Sequence, residues 1–299
     1  MSVVGAMRPG ATRRQSLHWA AAGVLAWPMV LPAAAPQAFV PARRLVALSG
    51  ALTEVVYLLG AQSLLVGTDT TSLYPEAAQK TAKVGYVRQL SAEGVLSLKP
   101  DAVVASSEAG PAVVLEQIRR AGVRVTLVPA RHTWAEVQEK ITVVGRETGQ
   151  VPQAQALQAK LDTEWAQVQA DVARATRKPR VLFILSHTGS PMAAGQATAA
   201  DALMKYAGLS NVVTAFEGYR ALTAEALASA APDVIINTTQ GMDALGGEAA
   251  FWRRPEMSLT PAYARKALVL LEASHLLGFG PRLPGAVREL HTRALSWGM

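Results

Sequence analysis

The chain has 299 residues, half of them apolar and 6% aromatic, with a formal net charge of +7 and no cysteine. This length and apolar share suffice for one large two-lobed domain or two ordinary ones, and the missing cysteine excludes disulfide frameworks, thiolate metal sites and thiol nucleophiles. Charge argues little for a nucleic-acid partner: there is no cluster of five or more Lys/Arg, and three positive charges fall in the first 38 residues, leaving 7 − 3 = +4 beyond them.

Residues 1–38 carry Arg8, Arg13 and Arg14 and no acid, then a charge-free run from Leu17 to Ala35 with an alanine-rich end, the layout of an export signal. Thr12-Arg13-Arg14-Gln15-Ser16-Leu17 fits a twin-arginine address, which is read by a receptor and serves proteins exported already folded. An ordinary secretory signal and a membrane anchor are the alternatives; Pro28, Pro32 and the small-residue end argue against the anchor. Cleavage is expected between Ala33 and Phe39.

From Arg44 onward short apolar runs alternate with helical patterns. Leu45–Leu48, Leu64–Gly67, Ala102–Ala105 and Val123–Val128 read as strands; Ser49–Gly60, the run through Leu98 that stops before Pro100, and Ala112–Ala121 read as helices. This is the rhythm of βαβ units on a mainly parallel sheet. Ala154, Leu157, Leu161, Trp165, Val168, Val172 and Ala175 then recur at spacings of 3 and 4, predicting a helix of about 24 residues from Pro152, ended by Pro179. A coiled-coil or oligomer helix is the alternative, weakened by the lack of four clean heptads. A new α/β series starts at Val181. The predicted architecture is α/β: two similar lobes with mainly parallel sheets, 42–150 and 178–299, joined by one long rigid helix over 151–177.

An internal repeat supports the two lobes. Leu90–Val104 aligns with Leu222–Ile236 at a constant offset of 132, with six of fifteen positions identical. Equivalent halves facing one another leave a cleft between them, the usual place for a small ligand. Asp101 and Asp233, each after a proline, read as turn caps rather than as an acid and a base.

The stretch most informative about function is Gly85-Tyr86-Val87-Arg88-Gln89-Leu90. A phenol becomes a good ligand when it loses its proton, and a cation within about 4–6 Å favours the phenolate. Arg88 is such a cation if the loop is extended, since residues i and i+2 then share a side. Tyrosinate holds haem iron in the ferric state. Taken alone, a Tyr-x-Arg pair is also ordinary surface decoration.

That stretch through Leu96, together with Ala193-Ala194-Gly195-Gln196-Ala197-Thr198-Ala199-Ala200-Asp201-Ala202, resembles the haemin-binding periplasmic proteins of bacterial ABC importers, over roughly Arg44 to Gly285. The resemblance implies that Tyr86 is the axial ligand of haem iron, supported by Arg88, and that haem is carried to a membrane permease by a monomer that performs no chemistry. A mildly basic surface suits a porphyrin with two propionates. In the repeat of the Tyr86 loop, Glu217-Gly218-Tyr219-Arg220, Tyr219 and Arg220 become ligand-binding candidates, Arg220 as a carboxylate partner; a solvated surface arginine is the alternative. His187, after the strand Phe183–Ser186, is a second candidate for the iron, since α/β sheets present ligand groups at strand ends; a hydrogen-bonded structural histidine is the alternative. Glu93 and Glu225, equivalent in the repeat, follow the expected N-caps Ser91 and Thr223. The resemblance implies that they dock the permease; a local role in the first helical turn is the alternative.

No enzyme pattern competes. Gly278-Phe279-Gly280-Pro281-Arg282-Leu283 begins like a dinucleotide loop but has leucine where the third glycine belongs, and the common hydrolase, zinc-protease and phosphate-loop motifs are absent. A siderophore or cobalamin carrier of the same fold and an extracytoplasmic hydrolase are the alternative functions.

Overall fold

Apolar runs too short for helices and bounded by turn residues become strands. β1 (Leu45–Leu48), β2 (Leu65–Thr68), β3 (Ala102–Ser106) and β4 (Arg124–Val128) make a four-stranded sheet in the order β2-β1-β3-β4, every pair parallel. β1 and β3 are buried along their whole length, as continuous Val/Leu/Ala runs covered on both faces must be. The computed structural model describes residues 39–186 and 191–297, so the expected export signal and His187 lie outside the described residues. From Val40 onward the chain packs as one compact unit.

The second sheet contains β5 (Arg180–Leu185), β6 (Met192–Ala194), β7 (Ser210–Asn211), β8 (Tyr219–Ala221), β9 (Val234–Thr238) and β10 (Leu268–Leu271), in the order β10-β9-β5-β6-β8 with β7 beside β5. β10, β9, β5 and β7 pair in parallel, while β6 and β8 extend the sheet as an antiparallel ribbon. The mainly parallel α/β architecture expected from the sequence is therefore the observed one.

The first sheet is covered by α1 (Gly50–Leu58), α2 (Ala92–Leu96), α3 (Ala112–Arg120) and α4 (Trp134–Thr148); α5 (Val151–Ala173) follows; α6 (Ala199–Tyr206), α7 (Ala224–Ala230), α8 (Thr239–Ala244), α9 (Glu248–Trp252), α10 (Pro261–Arg265), α11 (Ala273–Leu277) and α12 (Leu283–Ser296) accompany the second. The internal repeat is visible as structure. Ser91 and Thr223 cap α2 and α7 through Gly94 N–H and Ala226 N–H, and β3 and β9 occupy equivalent positions. Asp101 accepts the backbone N–H groups of Arg43 and Arg44 ahead of β1, and Asp233 that of Arg180 at the start of β5. Both aspartates anchor a neighbouring strand, a structural task consistent with the turn reading.

The long helix α5 has 23 residues, about 34 Å at 1.5 Å per residue. It ends at Ala173, six residues short of Pro179, because the chain there is already entering the second sheet: Ser210 N–H donates to Pro179 O at 2.9 Å, and the residue before a proline is held out of the helical region. Ala154, Leu161 and Val168 are its buried face. Trp165 stacks on Trp134 of α4 at 4.9 Å and meets Tyr206 of α6 edge-on at 4.9 Å, so the helix contacts elements of both halves.

A second joint is polar and buried. Arg282 donates from Nε and Nη2 to the two carboxylate oxygens of Glu54 on α1, at 2.8 and 2.7 Å, and from Nη2 to Ser274 Oγ at 2.9 Å. Its guanidinium lies 4.0 Å from the Tyr74 ring. Beside it Lys140 Nζ on α4 sits 2.6 Å from Glu136 Oε1 and donates to the carbonyl oxygens of Phe279 (2.8 Å) and Gly278 (3.3 Å). A Cβ on Gly280 would come within 3.0 Å of Ala51 Cβ, so a side chain there would push the strap away from α1. Burial pushes the Glu54 carboxyl up against the pull of Arg282, and burial pushes the Lys140 amine down against the pull of Glu136. The segment that imitates a dinucleotide loop in sequence is thus the clamp between the halves. Removing one partner of a buried ion pair leaves an uncompensated charge, so Arg282→Ala is expected to lower unfolding stability by about 3–5 kcal/mol. Arg282→Met combined with Glu54→Gln should recover most of that loss, as read from denaturant midpoints.

Candidate functional site

The Tyr86 loop is held from both ends. Val84 N–H donates to Thr68 O at 3.0 Å, Gly85 takes a φ of +103°, and Gln89 N–H closes a turn onto Tyr86 O at 2.8 Å. Val87 and Leu90 are buried. Two backbone bonds lace the turn to the loop after β3: Gly110 N–H to Val87 O and Leu90 N–H to Gly110 O, both 2.9 Å. This leaves the Tyr86 side chain outside, 38% exposed, with Arg88 Nη1 donating to its Oη at 2.7 Å. The phenol and guanidinium therefore meet as expected, by a different route. A tight turn, opened by the positive φ at Gly85, brings them together where an extended run was predicted.

The guanidinium has a second partner. Arg88 Nη2 lies 2.8 Å from Glu108 Oε2, on the loop beyond the C-terminal end of β3. Burial pulls the Arg88 pKa down, but the bonds to Glu108 and Tyr86 outweigh it and hold it above the ordinary arginine value. Arg88 is a fixed positive charge between a carboxylate and a phenol. Glu108 was missed in the sequence, although its position just past a buried strand in an α/β series is a place where ligand groups collect.

The facing half is built on the Ala193–Ala202 motif. β6 pairs with β8 so that Ala193 opposes Arg220 and Ala194 opposes Tyr219. Gly195 allows the next strand to close in, since a Cβ there would sit 2.3 Å from Phe216 O. Thr198 caps α6, its Oγ1 accepting Asp201 N–H at 3.1 Å. Tyr219 and Arg220 are consecutive in a strand and point to opposite faces. Tyr219 turns to Thr198: burial pushes its phenol above the ordinary tyrosine value, against the bond with Thr198 and the charge of Arg88, while Glu108 adds to the rise. Charges on the Tyr86 loop thus act on a phenol of the other half, which brings the two loops to one cleft. Arg220 is exposed and stacks on Phe216, its Cζ 4.6 Å from the ring centroid; it is not joined to Tyr86 or Arg88 by a direct contact.

A cavity of 510 Å3 continues from this ribbon. Ala130, Arg131 and His132 line it from the first half, and Gln196, Thr198, Asp201, Lys205 and Glu217 from the second. His132 has φ +53°, its N–H bonded to Glu136 Oε2 at 2.7 Å and its ring 5.3 Å from Phe279. Nothing in the sequence pattern marked it. Among the described residues no group of three or more His, Cys, Asp or Glu could hold a bare metal ion. Glu93 and Glu225 are exposed in the first turns of α2 and α7, and among the described residues neither makes an ion pair. His187 lies outside the described residues.

The periplasmic binding protein family model matches residues 45–274. The chain belongs to that family. Among solved structures it is similar to the periplasmic heme-binding protein BhuT in complex with two hemes, 45% identical, with 85% of this chain and 98% of that one covered and a TM-score of 0.81. It is also similar to the apo form of the periplasmic heme-binding protein RhuT from Roseiflexus sp. RS-1, 32% identical, with 86% and 99% covered and a TM-score of 0.82. An uncharacterized ABC transporter substrate-binding lipoprotein, YvrC of Bacillus subtilis (strain 168), is 28% identical over 252 residues, 83% of this chain and 78% of the relative. The resemblance drawn from the two motifs is borne out: the solved relatives are periplasmic heme-binding proteins, and the curated one is an ABC transporter substrate-binding lipoprotein.

The burial of Tyr219 has a measurable sign. In an alkaline ultraviolet titration, Tyr219→Phe should remove a phenol that ionises above the ordinary tyrosine range, the raised value following from burial. An unchanged late phase in the variant would show that the ring is not held in the cleft wall.

Proposed function

We propose that this chain is a periplasmic carrier that captures ferric haem in the cleft between its halves through Tyr86 and delivers it to the permease of an ABC importer. The observation that carries this reading is the exposed phenol of Tyr86, whose oxygen accepts a 2.7 Å bond from the Arg88 guanidinium and is of the kind that ligates ferric haem iron. The 45% identity to a protein solved with two hemes supports the same ligand class. Tyr219 and Arg220 belong to the facing wall, Arg220 as a partner for a propionate. No step of catalysis is assigned to any residue. The lobes are 42–150 and 178–299, the helix region 151–177 is the strut, and a monomer exported through the twin-arginine signal in residues 1–38 is the working form.

Purified protein mixed with haemin should develop a shifted Soret band and a tyrosinate-to-iron charge-transfer band, and Tyr86→Ala should lose both. Arg88→Ala should speed haem loss, because the phenolate loses its cation. A siderophore or cobalamin carrier would give no such bands in the wild type. His187 is assigned by spin state: a six-coordinate low-spin ferric protein that turns high-spin in His187→Ala makes it the second axial ligand, and a five-coordinate high-spin wild type leaves Tyr86 alone on the iron.

Glu93 and Glu225 are the docking charges of this reading, exposed at repeat-equivalent points of the two halves. Rim charges steer association and fix its register. Glu93→Arg combined with Glu225→Arg should leave haem binding and folding cooperativity intact while stopping delivery to the cognate importer. Normal uptake by the double variant would reduce both residues to favourable charges at helix N-termini.

A further inference from the structure

We propose that Glu108 is a positioning residue for haem capture: it pins the Arg88 guanidinium against the Tyr86 oxygen and, through its negative charge, limits how strongly that guanidinium draws electron density from the phenolate. The proposal rests on the reading of Tyr86 as the iron ligand and goes beyond it, since neither motif includes Glu108.

The geometry is that of a three-member chain. Glu108 Oε2 is 2.8 Å from Arg88 Nη2, and Arg88 Nη1 is 2.7 Å from Tyr86 Oη. An arginine side chain has several rotatable bonds and, held by one neutral phenol on an exposed turn, would spread over many rotamers. A carboxylate on the opposite edge of the planar guanidinium removes that freedom, because the fork presents its donors in fixed directions. Glu108 is itself held. Its backbone N–H donates to Ser106 Oγ at 3.3 Å, and the segment it belongs to is tied to the Tyr86 turn by the two 2.9 Å bonds between Gly110, Val87 and Leu90. Carboxylate and phenol are therefore mounted on one backbone unit. Facing this pair from other elements, Lys140 on α4 feels the charge of Glu108, and Tyr219 on β8 feels both Glu108 and Arg88.

The carboxylate has two effects of opposite sign on the phenolate. Holding Arg88 in place keeps a charge-assisted bond on the ligand oxygen, which stabilises the phenolate. Its own negative charge partly neutralises the guanidinium and so weakens that bond. Two substitutions separate them. Glu108→Ala removes both the anchor and the charge and frees Arg88 to leave the phenol. Glu108→Gln retains an oxygen acceptor for Nη2 and removes only the charge.

The test uses full mature protein loaded with haemin and reads the tyrosinate-to-iron charge-transfer band and the rate of haem transfer to an excess of an apo-haem acceptor. A more strongly bonded phenolate has a lower-lying donor orbital, so Glu108→Gln should move the band to shorter wavelength. Glu108→Ala should move it to longer wavelength and release haem roughly tenfold faster, the scale of one charge-assisted hydrogen bond. Opposite displacements in two variants with the same apo unfolding midpoint support the proposal, because a structural role alone moves both in one direction or neither. Wild-type band positions and release rates in both variants, or displacements of the same sign, overturn it while leaving Tyr86 in place. A Tyr86→Phe protein that retains the charge-transfer band overturns the ligand reading and the Glu108 proposal together.

Discussion

The charged strap running into α12 crosses one apolar core shared by both sheets, from Leu45 and Val104 to Ile235 and Leu271, and fixes their register. Arg282 reaches α1 through Glu54, Lys140 on α4 reaches the carbonyl oxygens of Gly278 and Phe279, and Gly280 lets the backbones touch. The aromatic packing of Trp134, Trp165 and Tyr206 along α5 supplies a second, apolar fastening. A buried pair of this kind adds little or no net stability over apolar packing of the same volume but tolerates few alternative arrangements. It therefore acts as a register mark for the cleft. With two fastenings on the same side, closure on a ligand is expected to be small.

Once the halves are fixed, the parallel sheets decide what meets in the cleft. In the first half, the turn of Tyr86 and the loop of Glu108 are joined by backbone bonds, so three side chains act as one unit. In the second half the antiparallel ribbon β6–β8 carries Tyr219 towards Thr198 and turns Arg220 the other way. The consequence is an asymmetric site from symmetric halves: Arg88 and Arg220 occupy equivalent places in the repeat, but Gly218 stands where Tyr86 does. One half provides the phenol and its cation, and the other provides a wall and an exposed guanidinium stacked on Phe216.

A carrier must hold its cargo and also let it go. In the proposed reading a phenolate supported by an arginine would bind ferric iron, and Glu108 on the far edge of that arginine would moderate the support. This division suits transport, in which a bond that is too strong defeats delivery as surely as a weak one defeats capture. The floor cavity lined by His132, Arg131 and Lys205 adds polar surface to the same cleft without a bare-metal cluster among the described residues.

The sequence by itself determined the alternation of strand and helix, the long helix from Val151, the 132-residue repeat with its caps at Ser91 and Thr223, and the pairing of Tyr86 with Arg88. These are local properties, set by apolar period, capping chemistry and short spacing, so neighbouring residues suffice to express them. The family motif followed from the same short stretches. Only the tertiary structure decided that the Tyr86 loop is a turn rather than an extended run, that Glu108 is the second partner of Arg88, that Tyr219 and Arg220 part company across β8, and that Gly278–Arg282 clamps the halves. The strap and the Glu108 contact depend on groups brought together from distant positions, as Arg282 and Glu54 are across 228 residues, whereas the turn and the strand alternation are local but became readable only once the backbone was in place. A long-range contact is fixed by the packing of whole sheets, and no local pattern in the chain encodes it.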